Sequence, residues 1–304
     1  MKCGICGSEV TLRKKYGGHV AASSLKTFIK KSLPYVDFLI PRCIPKLKRY
    51  SSKRSPFKGD VCICSKCGHG VLENPPTEIE LQRYYQEEYW SDRSTSVEKA
   101  VGENDDSIDN PRAIHQIGFA LKHINCAEIT DVLEVGAGAA YASLLLRHQC
   151  KGSTVNLHVC EPGMQWEDYY RKQGIERIAS FFPFETAKRF DYVHTSHWLE
   201  HVRDLDATLS VLNALINPSG SIFVEVPNTE HFYWDLPIED VPHIQFFTRG
   251  SLVEAFKKHN FDCLDIGEYG ITYLERQKGI SVTPDRYGAC ERGFWIRGLF
   301  KKAG

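Results

Sequence analysis

From Asp131 to Asn228 the chain alternates short apolar runs with helical stretches, and this alternation constrains the fold more than any other feature. The runs are DVLEVG (131–136), VNLHVCE (155–161), FDYVHTS (190–196) and SIFVEVPN (221–228), with helices expected near 139–149, 165–173 and 204–216. Strands buried on both faces read as short continuous apolar runs, and helical crossovers between them make the sheet parallel. The pattern predicts an α/β fold with a doubly wound, Rossmann-like sheet. The first run ends in Gly136-Ala137-Gly138, so strand, glycine turn and helix follow in the order a nucleotide site requires. There the helix N-terminus and a close backbone approach can hold a polar ligand at the carboxyl edge of the sheet. Glu161 closes the second run, where a carboxylate can take ribose hydroxyls.

Composition adds boundaries. The 304 residues are 42% hydrophobic and 25% charged, with a mean hydropathy of −0.33, which describes a soluble globular chain of about two domains. No apolar run approaches the ~20 residues of a membrane span. The N-terminal MKCGICGSEV lacks the apolar core of an export signal, so a cytoplasmic location is expected. The net charge of zero hides a split. Residues 1–60 hold 14 Lys and Arg against 3 acidic residues, a net of +11, and the remainder therefore carries −11. A basic end of this kind suits an anionic contact, while a solvated face or pairing with the acidic remainder of the chain explains it equally well.

The 11 cysteines cluster. Cys3-Gly-Ile-Cys6-Gly and Cys64-Ser-Lys-Cys67-Gly are two copies of one knuckle, in which a tight turn aims both sulfurs at one ion and the glycine permits the turn. Four thiolates close a tetrahedral structural zinc (Zn2+) site with no open position for catalysis. Cys62 is an ambiguous fifth candidate and His69 a weaker one. Scattered cysteines such as Cys126, Cys150, Cys160, Cys263 and Cys290 read as buried thiols.

These features divide the chain into a small N-terminal zinc-ribbon domain (1–76), a helical connector and candidate lid (77–127), and the nucleotide-type domain (128–304). The ribbon carries a basic insertion at about 17–58, in which Lys26, Lys30, Lys31, Lys46, Lys48 and Arg49 alternate with bulky apolar residues. Residues 24–33 fit a basic amphipathic helix. Peripheral contact with the inner membrane face is one use for it, and packing on the neighbouring domain is the other. Thr77 and Glu80 form a capping box that starts a helix near Glu78. Residues 91–110 read as a linker or lid. Asn110-Pro111 starts a second helix, expected to run to about Ala127.

The strings VLEVGAG and FDYVHTSHWLEHV resemble the class I S-adenosylmethionine-dependent methyltransferases. The resemblance covers about 131–270 and implies a seven-stranded methyltransferase sheet and S-adenosyl-L-methionine as cofactor. It implies that Glu134, Gly136, Ala137 and Gly138 line the methionine end, and that Glu161 and Pro162 face the ribose. Ser180 and Phe181 would flank adenine, with Ser196 and His197 beneath the sulfonium. Ala140 stands where family members often carry glycine. The N-terminal CSKCG knuckle, NPPTEIELQRYYQEEYW and VPHIQFFTRGSLVEAFKKHNFD (241–262) resemble the zinc-ribbon methyltransferases of bacterial polysaccharide and deoxysugar pathways. That resemblance implies a sugar, sugar nucleotide or polysaccharide intermediate as acceptor, and the basic insertion adds anionic or lipid-linked glycans to the candidates.

Methyl transfer is an in-line displacement, so the protein positions the acceptor and removes its proton. Histidine is the usual base near neutral pH. His243 and His201 are the candidate bases, with Glu225 beside them as a third candidate catalytic residue; a structural histidine bonded to a loop carbonyl is the alternative for each. The competing functions are an RNA methyltransferase that holds nucleic acid on its basic ribbon, and a binding module without activity.

Overall fold

A computed structural model of the chain describes residues 2–16, 57, 59–89, 109–231, 233–235 and 242–304. The basic insertion (Phe57 apart) and most of the candidate lid lie outside the described residues. In chain order the strands are β1 (Val10–Tyr16), β2 (Gly59–Cys64), β3 (Gly70–Leu72), β4 (Asp131–Val135), β5 (Asn156–Cys160), β6 (Ile175–Ala179), β7 (Phe190–Ser196), β8 (Ile216–Pro227), β9 (Gln245–Phe246), β10 (Phe261–Thr272) and β11 (Gly293–Lys302). The α-helices are α1 (Glu78–Arg83), α2 (Pro111–Ala120), α3 (Tyr141–Gln149), α4 (Glu167–Gln173), α5 (Leu205–Leu215), α6 (Arg249–Lys258) and α7 (Tyr273–Gln277).

Seven strands form one sheet in the order β10-β11-β8-β7-β4-β5-β6. The strands from β8 to β6 run parallel, and β11 is antiparallel to both of its neighbours. Apolar residues of α2, α3 and α4 cover one face and those of α5 and α6 the other, giving two buried clusters with the sheet between them. The four apolar runs of the sequence are β4, β5, β7 and β8. Since the parallel strands point the same way, the turns after β4, β5, β7 and β8 open onto one edge, where ligands bind in such sheets. No described helix is long and apolar enough to cross a membrane.

A second sheet, β1-β2-β3-β9, carries the cysteine knuckles. Its last strand comes from the far end of the chain: Gly70 pairs with Phe246 and Val71 with Gln245. Thr248 Oγ1 donates to the Cys67 carbonyl (2.8 Å). A third apolar cluster joins Val61, Ile63 and Leu72 to Ile244, Phe246, Phe294 and Trp295, so the knuckle sheet and the large sheet share a core.

Local signals hold well at helix starts. The Thr77 hydroxyl accepts from Glu80 N–H while the Glu80 carboxylate accepts from Thr77 N–H, and Asn110 caps α2. The second helix ends at Ala120 rather than near Ala127, because Asn125 accepts from Ala127 N–H and starts a new 3-10 turn at Cys126–Glu128. That turn sets Cys126 against Cys150 at the C-terminus of α3, and the two form a disulfide. The expectation of buried free thiols is therefore corrected at this pair. It is also corrected at Cys263, which is exposed, and at Cys290, which is partly exposed, whereas Cys160 is a buried thiol.

Candidate active site

The turn after β4 sets the floor of the cleft. Gly136 has φ +71° and Gly138 φ +50°, in the left-handed region that favours glycine. A Cβ on Gly136 would lie 3.0 Å from the Trp198 side chain, whereas one on Gly138 would meet nothing within 4 Å. Gly138 thus faces open space. Ala140 also lies at φ +54°, which explains why glycine suits this position, and α3 begins there without a side-chain cap.

Glu161 reaches back to this turn. Its Oε2 accepts from Gly138 N–H (2.9 Å) and its Oε1 from Gly163 N–H (2.8 Å). Burial raises its pKa, and the two amides and Arg177 oppose that rise. Arg177 was not anticipated by sequence reasoning, yet it gathers the expected ribose and adenine side. Its Nε donates to the Glu161 carbonyl (2.8 Å), and its Nη2 donates to both the Pro162 carbonyl (3.4 Å) and Ser180 Oγ (3.0 Å). Phe181 is partly exposed on the same loop.

Glu134, expected at the methionine end, is buried beside the glycine turn. Its Oε2 accepts from the amide (3.0 Å) and hydroxyl (2.5 Å) of Ser143, so it holds α3 against β4. Burial pushes its carboxyl up to about 7 despite the Ser143 bonds.

At the ends of β7 and β8 a charged network fills the floor. Glu225 is fully buried. Its Oε2 accepts from Arg297 Nε, and its Oε1 from Arg112 Nε (2.7 Å), Gln116 Nε2 (2.9 Å) and Ser196 Oγ (3.3 Å). Burial alone would raise its pKa, but Arg112 and Arg297 outweigh it and hold the carboxyl well below the usual range. Glu225, the third candidate catalytic residue, therefore stays anionic and occupied, an anchor for this floor. Arg112 and Gln116, four apart on α2, share one helix face; that spacing was legible. Arg297 comes from β11, which no motif announced.

His197 sits at φ +53° just past β7, a strained position for a non-glycine residue. Its backbone N–H donates to the Glu225 carbonyl (2.9 Å), and its Nδ1 lies 3.0 Å from Glu200 Oε1. Burial, with Arg112 adding to it, pushes its imidazole well below its ordinary pKa, so the ring is neutral. His201 and His243 come together edge to face, ring centroids 4.9 Å apart, and Nε2 of each lies 3.8 Å from Glu200 Oε1. His201 Nδ1 is 3.3 Å from the Pro242 carbonyl. Glu200 is itself fully buried and was not singled out from sequence.

Across the shared core, Cys3 Sγ lies 3.6 Å from Cys67 Sγ and Cys6 Sγ 3.5 Å from Cys64 Sγ, and all four sulfurs fall within 4.8 Å of one another. A tetrahedral zinc with bonds of ~2.3 Å separates its sulfurs by roughly 3.8 Å, so the cluster is compatible with a zinc ribbon. Cys62 and His69 are not in this group; His69 Nε2 instead meets Gln245 Oε1 (3.0 Å).

The family model described as "Methyltransferase domain" matches residues 82–266. C-methyltransferase NovU from Streptomyces niveus is 23% identical over 222 residues, 69% of this chain and 48% of that protein. The chain thus spans about half the length of this curated relative. Among solved structures, the Burkholderia thailandensis 1,6-didemethyltoxoflavin-N1-methyltransferase aligns at TM-score 0.48 and 15% identity, over 80% of this chain and 98% of that one. An S-adenosylmethionine-dependent methyltransferase from Clostridium acetobutylicum aligns at TM-score 0.46 and 11% identity, over 63% and 92%. The family match covers more than half of the sequence and contains the glycine turn, Glu161 and the histidine-bearing loops: the chain belongs to this methyltransferase-domain family.

Proposed function

We propose that the protein methylates a sugar, sugar nucleotide or polysaccharide intermediate, with His243 or His201 as general base and one structural zinc on Cys3, Cys6, Cys64 and Cys67. The observation that carries the base reading is the convergence of the two imidazoles on one buried carboxylate, two residues after the Trp198 that packs on Gly136. Weak similarity to a C-methyltransferase supports a carbon acceptor, which must lose a proton before it can be methylated. In this reading residues 1–76 form the zinc ribbon, 77–127 the connector and 128–304 the catalytic domain, with β9 borrowed by the ribbon.

The residues present fit the cofactor. Gly138 leaves open space where a backbone approach is needed, α3 starts uncapped, and a buried carboxylate stands beside both. S-adenosylmethionine, when bound, supplies the electrophilic methyl group. Glu161 would hold its ribose, the Gly136–Gly138 backbone its methionine part, and Ser180 and Phe181 its adenine. The Arg112–Glu225–Arg297 network keeps Ser196 and His197 fixed under the reacting centre. His201 or His243 takes the acceptor's proton at Nε2.

Glu161→Ala is expected to weaken cofactor binding by about 1.5–3 kcal/mol, the cost of losing a charge-assisted hydrogen bond. Glu161→Gln should recover part of this, because one oxygen can still accept from the glycine turn. Isothermal calorimetry on both variants checks the order; equal affinity in all three proteins would remove Glu161 from the site.

Substrate class is tested by incubating the full chain with methyl-labelled S-adenosylmethionine and either nucleotide-linked sugars, keto sugars among them, or structured RNA. Label in a sugar, located by mass spectrometry, is the expected outcome. Label in RNA alone would replace this reading with the nucleic-acid one, in which the basic segment holds phosphates and binding falls steeply with salt.

A further inference from the structure

Glu200 is placed unlike any other carboxylate near the cleft. It lies in the 3-10 turn Leu199–His201 after β7, fully buried. Its carbonyl accepts from Ile244 N–H (2.7 Å), so the segment carrying His243 is bonded to the residue the rings surround. Its Oε1 is 3.0 Å from His197 Nδ1 and 3.8 Å from Nε2 of both His201 and His243. The first distance is a hydrogen bond. The others are too long for one, yet short enough for a charge to act through buried surroundings.

We infer that Glu200 is the positioning residue of the methyl transfer, an inference that rests on the histidine-base reading above: its carboxylate fixes the neutral His197 ring and supplies the counter-charge against which His201 or His243 accepts the acceptor's proton. The tautomers agree with this role. A carbonyl can be met only by a protonated Nδ1, so the His201 bond to Pro242 makes Nε2 the basic nitrogen of its neutral ring. His197, neutral, donates Nδ1–H to the carboxylate. When the proton moves from acceptor to Nε2, the imidazolium forms 3.8 Å from a fixed negative charge and later passes the proton to water. Two further ionisable groups among the described residues lie near the trio. Glu225 Oε1, 3.7 Å from His197 Nε2, is already matched by Arg112 and Arg297. The Tyr85 ring lies 6.1 Å from that of His201.

The test is Glu200→Gln in the full chain, which keeps shape and an acceptor for His197 while removing the charge. Histidine Cε1–H NMR titration between about pH 5 and 9, assigned with His201→Gln and His243→Gln, needs no acceptor. Loss of the carboxylate disfavours the imidazolium, so the His201 and His243 midpoints should move to lower pH by about one unit. Cofactor affinity should not change. On a sugar accepted in the labelling assay, kcat should fall at least about tenfold, with the acid limb of the profile moving the same way as the NMR midpoints. Unmoved midpoints would overturn the inference. So would a second equivalent of divalent metal in the wild type, beyond that on the four cysteines, that disappears in the variant, since Glu200, His201 and His243 would then be ligands. If neither histidine variant loses turnover, the base reading itself fails, whatever Glu200→Gln does.

Discussion

Replacing Gly138 by valine is expected to abolish S-adenosylmethionine binding, by roughly 100-fold or more in affinity, because the second glycine of such a turn exists for close backbone approach. The structure makes this a cleaner test than Gly136. A side chain at Gly136 would collide with Trp198 at 3.0 Å, and loss of binding there would mix with damage to the fold. At Gly138 a Cβ meets no protein atom within 4 Å, so the side chain starts into open space, where the cofactor is proposed to lie. The positive φ of +50° adds a strain cost of order 1–3 kcal/mol, small enough for a domain of this size to remain folded. Calorimetry with the cofactor, alongside circular dichroism, reads both quantities. Unchanged affinity in a folded variant would place the cofactor elsewhere.

Cys6→Ser or Cys67→Ser is expected to release one zinc per chain and to unfold the knuckle sheet. Structural zinc binding is worth about 10–16 kcal/mol in small zinc domains, so its loss exceeds what this sheet can supply from its own core. The damage should extend further than the ribbon, because Ile244, Phe246, Phe294 and Trp295 pack in the same cluster as Val61, Ile63 and Leu72. Hydrogen exchange should show loss of protection in β1 to β3, then in β9 and the start of β11, with β4 to β7 retained. Metal analysis giving no zinc in freshly reduced wild-type protein would sink the proposal.

Much of this site was legible because its signals are local. Gly136 and Gly138 follow an apolar run directly, Glu161 ends the next one, and each knuckle is five consecutive residues. What escaped reading depends on distant partners. Arg297 looks like an interruption in GFWIRGLF until Glu225 is found opposite it in the sheet. The position of Glu134 beside the glycine turn is explicit in the sequence, while the Ser143 amide that bonds it belongs to the next helix. Cys126 and Cys150 carry no spacing motif, and their meeting depends on where α2 stops. Two-residue β9 is too short for any periodicity to reveal. Glu200 stood in the open within SHWLEHV, but only the fold brings His243 to it.

The borrowed strand has a consequence for how the two halves could diverge. His243 lies two residues before β9, and Thr248, which grips the Cys67 carbonyl, lies two residues after it. The backbone that delivers a candidate base is therefore clamped at one end by the knuckle and at the other by Glu200. Under the proposed function metal occupancy and proton abstraction become linked variables: a chain emptied of zinc is expected to lose its rate before it loses its large sheet. A ribbon transplanted from a relative would have to match this strand's register, so the two parts must change together or not at all.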